Sequence, residues 1–161
     1  MATAQTLTLS RSTLYTIGEA ADILGISIPT IRMYEREGLI IPFRKRSKHR
    51  RFSPIDIERI RCLRTMINDE KVSIAGIRRL LALIPCWSIK NCPEEVRTNC
   101  PAFQQHDKPC WMASEKSWDI RSNECRECSV YTEIASCKTL KNTIVEMTLR
   151  EHPHVPSAIR A

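Results

Sequence analysis

Apolar residues recur at helical spacing through the first half of the chain, and each recurrence opens on a residue suited to cap a helix. Thr16 stands three residues before Glu19, a reciprocal pair that satisfies two open N–H groups of a helix start. Ile17, Ala20, Ala21 and Leu24 then share one face, and Gly25 permits the left-handed turn that ends the helix. Ser27 caps a second helix with Pro29 in its first turn. That helix buries Ile28 and Ile31 and exposes Thr30, Arg32 and Arg36; Gly38 closes it, with Leu39 placed for the accompanying apolar contact. Two short helices around a Gly-containing turn predict a helix-turn-helix. Leu39 to Pro42 and Arg51 to Phe52 read as short strands flanking a loop, a wing. Ser53-Pro54-Ile55-Asp56 starts a third helix that buries Ile57, Ile60, Leu63 and Ile67. Ser73 starts a fourth, with Ile74, Ile77, Leu80, Leu81 and Ile84 as its stripe, and Pro85 stops it.

Periodicity then fades. Residues 85–130 carry Cys, Pro and Trp with little pattern, and residues 131–149 read as a helix again. Ile134, Cys137, Ile144 and Met147 form a loose stripe there, a candidate dimer seam. The expected class is mostly α. A winged helix-turn-helix over 14–84 is followed by a small metal- or cluster-binding Cys-rich module over 85–130 and a C-terminal helix. Residues 1–13 and 150–161 are expected to be a flexible arm and tail.

Charge sharpens the picture. The chain of 161 residues carries a formal net charge of +7, which favours an anionic partner. From Arg44 to Arg51 six residues are Lys or Arg and none is acidic, and such a loop repels itself unless phosphates or solvent ions neutralise it. The start lacks the apolar core of a signal peptide, and the longest apolar run, Leu80 to Trp87, is far short of the ~20 residues that cross a bilayer. A cytoplasmic location is expected, with no membrane partner.

The eight cysteines are the compositional anomaly. In a reducing compartment, seven cysteines between Cys86 and Cys137 point to thiolates that hold zinc or an iron–sulfur cluster. Cys125 and Cys128, spaced C-x-x-C, form the natural first pair; Cys100 and Cys110 are the expected second pair, with Cys92 and Cys86 as alternates. His106 is a substitute ligand. Structural zinc, a redox-active cluster, and disulfides or thiol oxidation all stay open. Cys62 and Cys137 read as small packing residues.

Several motifs carry a family resemblance. Tyr15-Thr16-Ile17-Gly18-Glu19-Ala20-Ala21 resembles the opening of MerR-type regulators. So do Thr30-Ile31-Arg32-Met33-Tyr34-Glu35-Arg36-Glu37-Gly38-Leu39-Ile40 and His49-Arg50-Arg51-Phe52-Ser53, in the same order and spacing. Met33 departs from the aromatic residue usual there. The resemblance implies a homodimer on an inverted repeat of double-stranded DNA, acting at promoters with RNA polymerase by bending and untwisting the duplex. The second helix would enter the major groove, with Thr30 and Arg32 as base-contact candidates. Tyr34, Arg36, Arg44, Arg46, Lys48, His49, Arg50 and Arg51 are candidates for phosphate or wing contacts. Tyr34 reads equally well as a core aromatic, and Arg36 as the partner of acids on its own helix.

The second half resembles a small module with two Cys-Trp pairs, found on bacterial sensor proteins. Cys86-Trp87, Asn91-Cys92, Cys100-Pro101-Ala102, Cys110-Trp111 and Cys125 to Tyr131 carry the likeness. A cysteine often seen after the second Cys-Trp is absent, with Ser117 and Trp118 in that neighbourhood. The function expected is therefore a non-enzymatic, DNA-binding transcription regulator with a sensing or metal-binding half. The alternative is a DNA architectural or recombination-accessory factor with a structural zinc module. A thiol oxidoreductase would set C-x-x-C at a helix start just after a strand, and no strand pattern precedes Cys125.

Overall fold

The caps predicted for the first four helices are all made. In the computed structural model, which describes residues 13–44, 49–113, 124–137, 141–142 and 145–146, the Thr16 N–H donates to Glu19 Oε2 at 2.6 Å and the Glu19 N–H to Thr16 Oγ1 at 3.2 Å. Helix α1 runs over Ile17–Leu24 and ends at Gly25, which holds φ at 61°. Ser27 Oγ accepts from the Thr30 N–H to start α2, Ile28–Arg36. Ser53 and Asp56 form a second capping box at α3, Pro54–Arg64, which runs on through a π-helical turn over Thr65–Asp69. Ser73 caps α4, Ile74–Ala82.

The wing is displaced from its expected position. Its strands are β1, Phe43–Arg44, and β2, Arg50–Arg51, paired antiparallel with Phe43 opposite Arg51 and Arg44 opposite Arg50, while Phe52 bridges to Tyr15. The expected strand over Leu39 to Pro42 does not form, because groups outside any sheet take its backbone. The Ile41 N–H donates to the Tyr131 hydroxyl at 2.8 Å, the Ile41 carbonyl accepts from Arg126 Nη1 at 2.7 Å, and the Gly38 carbonyl accepts from Trp111 Nε1 at 2.7 Å. Leu39, Ile40 and Ile41 are buried.

The second half is a run of one-turn helices: α5, Cys86–Ile89; α6, Glu94–Thr98; α7, Pro101–Gln104; α8, Cys110–Ala113; and α9, Ser129–Thr132. It shares its core with the first half. Trp111, Val130, Tyr131 and Ile134 are buried in one cluster with Ile31, Leu39, Ile60 and Ile77. Trp111 meets Tyr131 edge-to-face at 5.2 Å, and the buried Arg59 guanidinium lies 3.9 Å from the centre of the Tyr131 ring while donating to the Tyr131 carbonyl.

Three expectations are corrected. Leu80, assigned to the buried stripe of α4, is 42% exposed, while Ile77, Leu81 and Ile84 hold the core. The helix expected over 131–149 is broken, since α9 ends at Thr132 and residues 133–136 turn. That turn lets Ile134 and Ala135 settle beside Leu63, Met66, Ile77 and Leu81 between α3 and α4. The seam residue Ile134 is thus consumed by the chain's own core, and Ile144 and Met147 lie outside the described residues. Docking Ile134 there also brings Cys137 to Cys62, and the two form a disulfide with Cα atoms 5.5 Å apart rather than packing as separate thiols.

Gly38 holds φ at 69°, and a Cβ on it would lie 1.8 Å from Met112 Sδ. Gly38→Ala is expected to lose about 1–3 kcal/mol in urea denaturation from the backbone alone. Adding Met112→Ala should recover only the steric part. In oxidising buffer Cys62→Ser should lower stability by about 4 kcal/mol, as expected for opening a loop of this length. Under excess dithiothreitol, wild type and variant should converge.

Candidate nucleic-acid interface and cysteine cavity

Helix α2 presents its polar face outward. Arg32 and Arg36, four residues apart and so on one side of the helix, are both exposed. Thr30, nearer the helix start, is half-buried, with its hydroxyl 2.8 Å from that of Ser27. Tyr34, expected among the phosphate contacts, is 3% exposed and belongs to the core. Its position in the helix turns it away from Arg32 and Arg36 into the core, and burial raises its pKa.

The wing is fastened to this helix by an ion pair. Arg50 Nε lies 2.6 Å from Glu35 Oε2, with side-chain exposures of 30% and 6%. A carboxylate that buried needs a charged partner, so Arg50 spends at least one donor on holding β2 against α2. Its neighbours keep more freedom: His49 is exposed and Arg51 half-buried. Arg44 stands opposite Arg50 in the backbone register. Arg46 and Lys48 lie outside the described residues. A second pair, Arg78 Nη1 to Glu37 Oε2 at 3.2 Å, ties the end of α2 to α4, and Arg64 Nη1 donates to the Leu24 carbonyl at the end of α1.

All six cysteines outside the disulfide line one cavity of about 380 Å³. Cys86, Cys92, Cys100, Cys110, Cys125 and Cys128 are joined on its wall by Lys90, Glu124, Trp111, Val130 and Tyr131. The Cys86 and Cys110 thiols are hydrogen-bonded. That bond lowers the pKa of Cys86 to about 7 and raises that of Cys110, which burial and the nearby Cys86, Cys128 and Cys125 push in the same direction. Among the described residues no three His, Cys, Asp or Glu side chains are close enough to hold a single metal ion. Cys100 and Cys110, the expected second pair, line this cavity together with the alternates Cys86 and Cys92, and Cys86 interacts with Cys110. His106 is exposed and does not line the cavity.

Capped helices, a wing and its fastening ion pair occupy one continuous stretch. Residues 15–84 match the family model described as MerR HTH family regulatory protein. Over 70 residues the chain is 39% identical to heat shock protein HspR of Streptomyces coelicolor, covering 44% of this chain and 46% of that protein. It is 40% identical over 70 residues to the HTH-type transcriptional regulator MlrA of Escherichia coli, covering 43% of this chain and 28% of that protein. The MlrA of Salmonella typhimurium gives the same identity over the same length. The chain spans about half the length of HspR and less than a third of MlrA in these matches. No solved structure matches. The family model and MlrA are both described as regulators. Among the described residues no helix is long and apolar enough to cross a membrane.

Several residues that matter to the winged half are not marked as such by the sequence. Glu35 reads as one acid among several on α2, and nothing local marks it as the anchor of Arg50. Asp56 reads as a cap, yet its Oδ2 also accepts from Arg126 Nη2 at 2.7 Å. Arg59, Trp111, Arg126 and Tyr131 connect the winged half to the second half, and all five of these bonds span 70 or more residues. The Tyr131 hydroxyl has its pKa pushed up to about 12 by burial, so it stays neutral at ordinary pH.

Removing Arg50 leaves the Glu35 charge buried without that partner, so Arg50→Ala should cost about 1–3 kcal/mol of stability in urea denaturation. Arg51→Ala should stay within roughly 0.5 kcal/mol of wild type. Equal losses from both would show that the pair does not anchor the wing.

Proposed function

We propose that the chain is a sequence-specific, double-stranded-DNA-binding transcription regulator. It acts in the cytoplasm as a homodimer at promoters, together with RNA polymerase, and its cysteine-bearing half supplies sensing. The observation that carries this reading is the exposed Arg32–Arg36 face of α2 beside a basic wing that Glu35 and Arg50 hold in place. The match of residues 15–84 to a regulatory helix-turn-helix family supports it. Such a surface has two tasks: cations spaced along a helix and hairpin neutralise phosphates and supply affinity, while a few base-edge contacts supply choice. Thr30 and Arg32, toward the start of α2, are the base-contact candidates. Arg36, Arg44, Arg46, Lys48, His49, Arg50 and Arg51 are the phosphate candidates.

Fluorescence anisotropy on a selected duplex and on random duplex, each across a salt series, tests the reading. Binding should weaken steeply with salt. Arg36→Ala and Arg51→Ala should weaken both duplexes alike and lower the logarithmic salt slope by about 1 for each lost phosphate contact. Arg32→Ala should cost about 1–3 kcal/mol on the selected duplex and little on the random one. Failure to retain any duplex at low salt would refute the reading. Bending of the duplex without an effect on transcription would favour an architectural factor instead.

A further inference from the structure

The cavity of six thiols demands an occupant chemistry of its own. We propose that it holds an iron–sulfur cluster, ligated by Cys86, Cys110, Cys125 and Cys128. Thiolate sulfur suits zinc, copper(I) and iron–sulfur clusters, so the ligand type narrows the choice without deciding it. Room decides between one ion and several. Tetrahedral zinc holds its sulfurs at about 2.3 Å, which forces them within roughly 4 Å of one another and leaves no space inside. Here six thiols line one open space, more room than a single ion fills. Sulfurs spread around a cavity of about 380 Å³ match a polynuclear centre, in which different metal atoms take different thiolates.

The four ligands follow from position. Cys86 opens α5 and Cys128 caps α9, two helices that pack against each other, and Cys110 opens α8 on the wall of the same cavity. Cys125 and Cys128 also sit on one short turn, their backbones joined by the Cys128 N–H to Cys125 carbonyl bond at 3.3 Å. All four therefore line one space. Cys92 and Cys100 complete the wall. Trp111, Val130 and Tyr131 make part of the lining apolar, which shields a cluster from water, and Lys90 supplies a positive charge toward a centre made anionic by its thiolates. Glu124 on the same wall opposes that charge. Each ligating thiol gives up its proton when the cluster binds.

The ligands are also next to the residues that hold the MerR-type domain. Trp111 follows Cys110, Arg126 lies between Cys125 and Cys128, and Tyr131 comes three residues after Cys128. Cluster occupancy would therefore fix the side chains that bond Gly38, Ile41 and Asp56. This proposal needs no DNA step, so it stands or falls apart from the regulatory reading.

The test is the full chain purified anaerobically from iron-replete cells, with iron, zinc and acid-labile sulfide assayed and the visible spectrum recorded. Iron and sulfide together with a broad visible absorption are expected. The absorption should be lost in Cys110→Ser and Cys128→Ser and kept in Cys62→Ser, whose sulfur lies outside the cavity. Circular dichroism would report whether each variant folds. Independently of any variant, alkylation of the native chain followed by mass mapping should find Cys86, Cys110, Cys125 and Cys128 protected until the cluster is removed. Removal should also lower the unfolding temperature. Zinc without sulfide, iron without sulfide, or a metal-free chain with the six cysteines in disulfides would each overturn the proposal. So would unchanged alkylation on cluster removal.

Discussion

The carbonyl of Gly38, both backbone groups of Ile41 and the carboxylate of Asp56 all belong to the winged half, and each finds a partner in the cysteine-bearing half. Trp111, Tyr131 and Arg126 supply those partners at 2.7–2.8 Å. Segment 39–41 is buried, so its polar groups have no water to fall back on. A buried group left unpaired costs about 1–3 kcal/mol, and several lie side by side here. The placement of the wing follows from this constraint. Because the backbone at Ile41 is already engaged, the hairpin starts only at Phe43, and β2 then comes within reach of Glu35.

Charge is used inside the protein as well as on its surface. Arg59 is buried, and desolvation lowers its pKa, opposed by Tyr131 and Asp56. Its guanidinium also lies over the Tyr131 ring and near that of Trp111. A planar, weakly hydrated cation tolerates such a place better than an ammonium would. Arg126 is 11% exposed and spans both Ile41 and Asp56. The two arginines form a polar layer between the halves, with one aromatic pair packed against it.

Local chemistry explains what was legible in the sequence. Thr16, Ser27, Ser53 and Ser73 act within three residues of themselves, so their helices were placed correctly, and Gly25 and Gly38 take positive φ where helices end. Tyr34 stayed ambiguous because a helix shows which face is apolar but not where an aromatic on its border will turn. The strand at Leu39 to Pro42 was misplaced because its apolar run suits a strand until distant side chains claim its backbone. The pairing of Cys62 with Cys137 joins residues 75 positions apart and depends on a turn after Thr132 that no Gly or Pro signals. Six cysteines announced a common centre, but C-x-x-C spacing ranks only neighbours, and Cys86 reaches Cys110 through folding alone.

When oxidised, the Cys62–Cys137 bond closes a covalent ring around every other cysteine in the chain. Whatever happens to the cavity, its walls are leashed at one end to the last turn of α3 and at the other to the turn beyond Ile134. An emptied or rearranged cavity can loosen but cannot drift away, so it re-forms from a small set of starting positions. A single backbone cut anywhere inside the ring would leave two pieces that still travel together until the sulfurs are reduced.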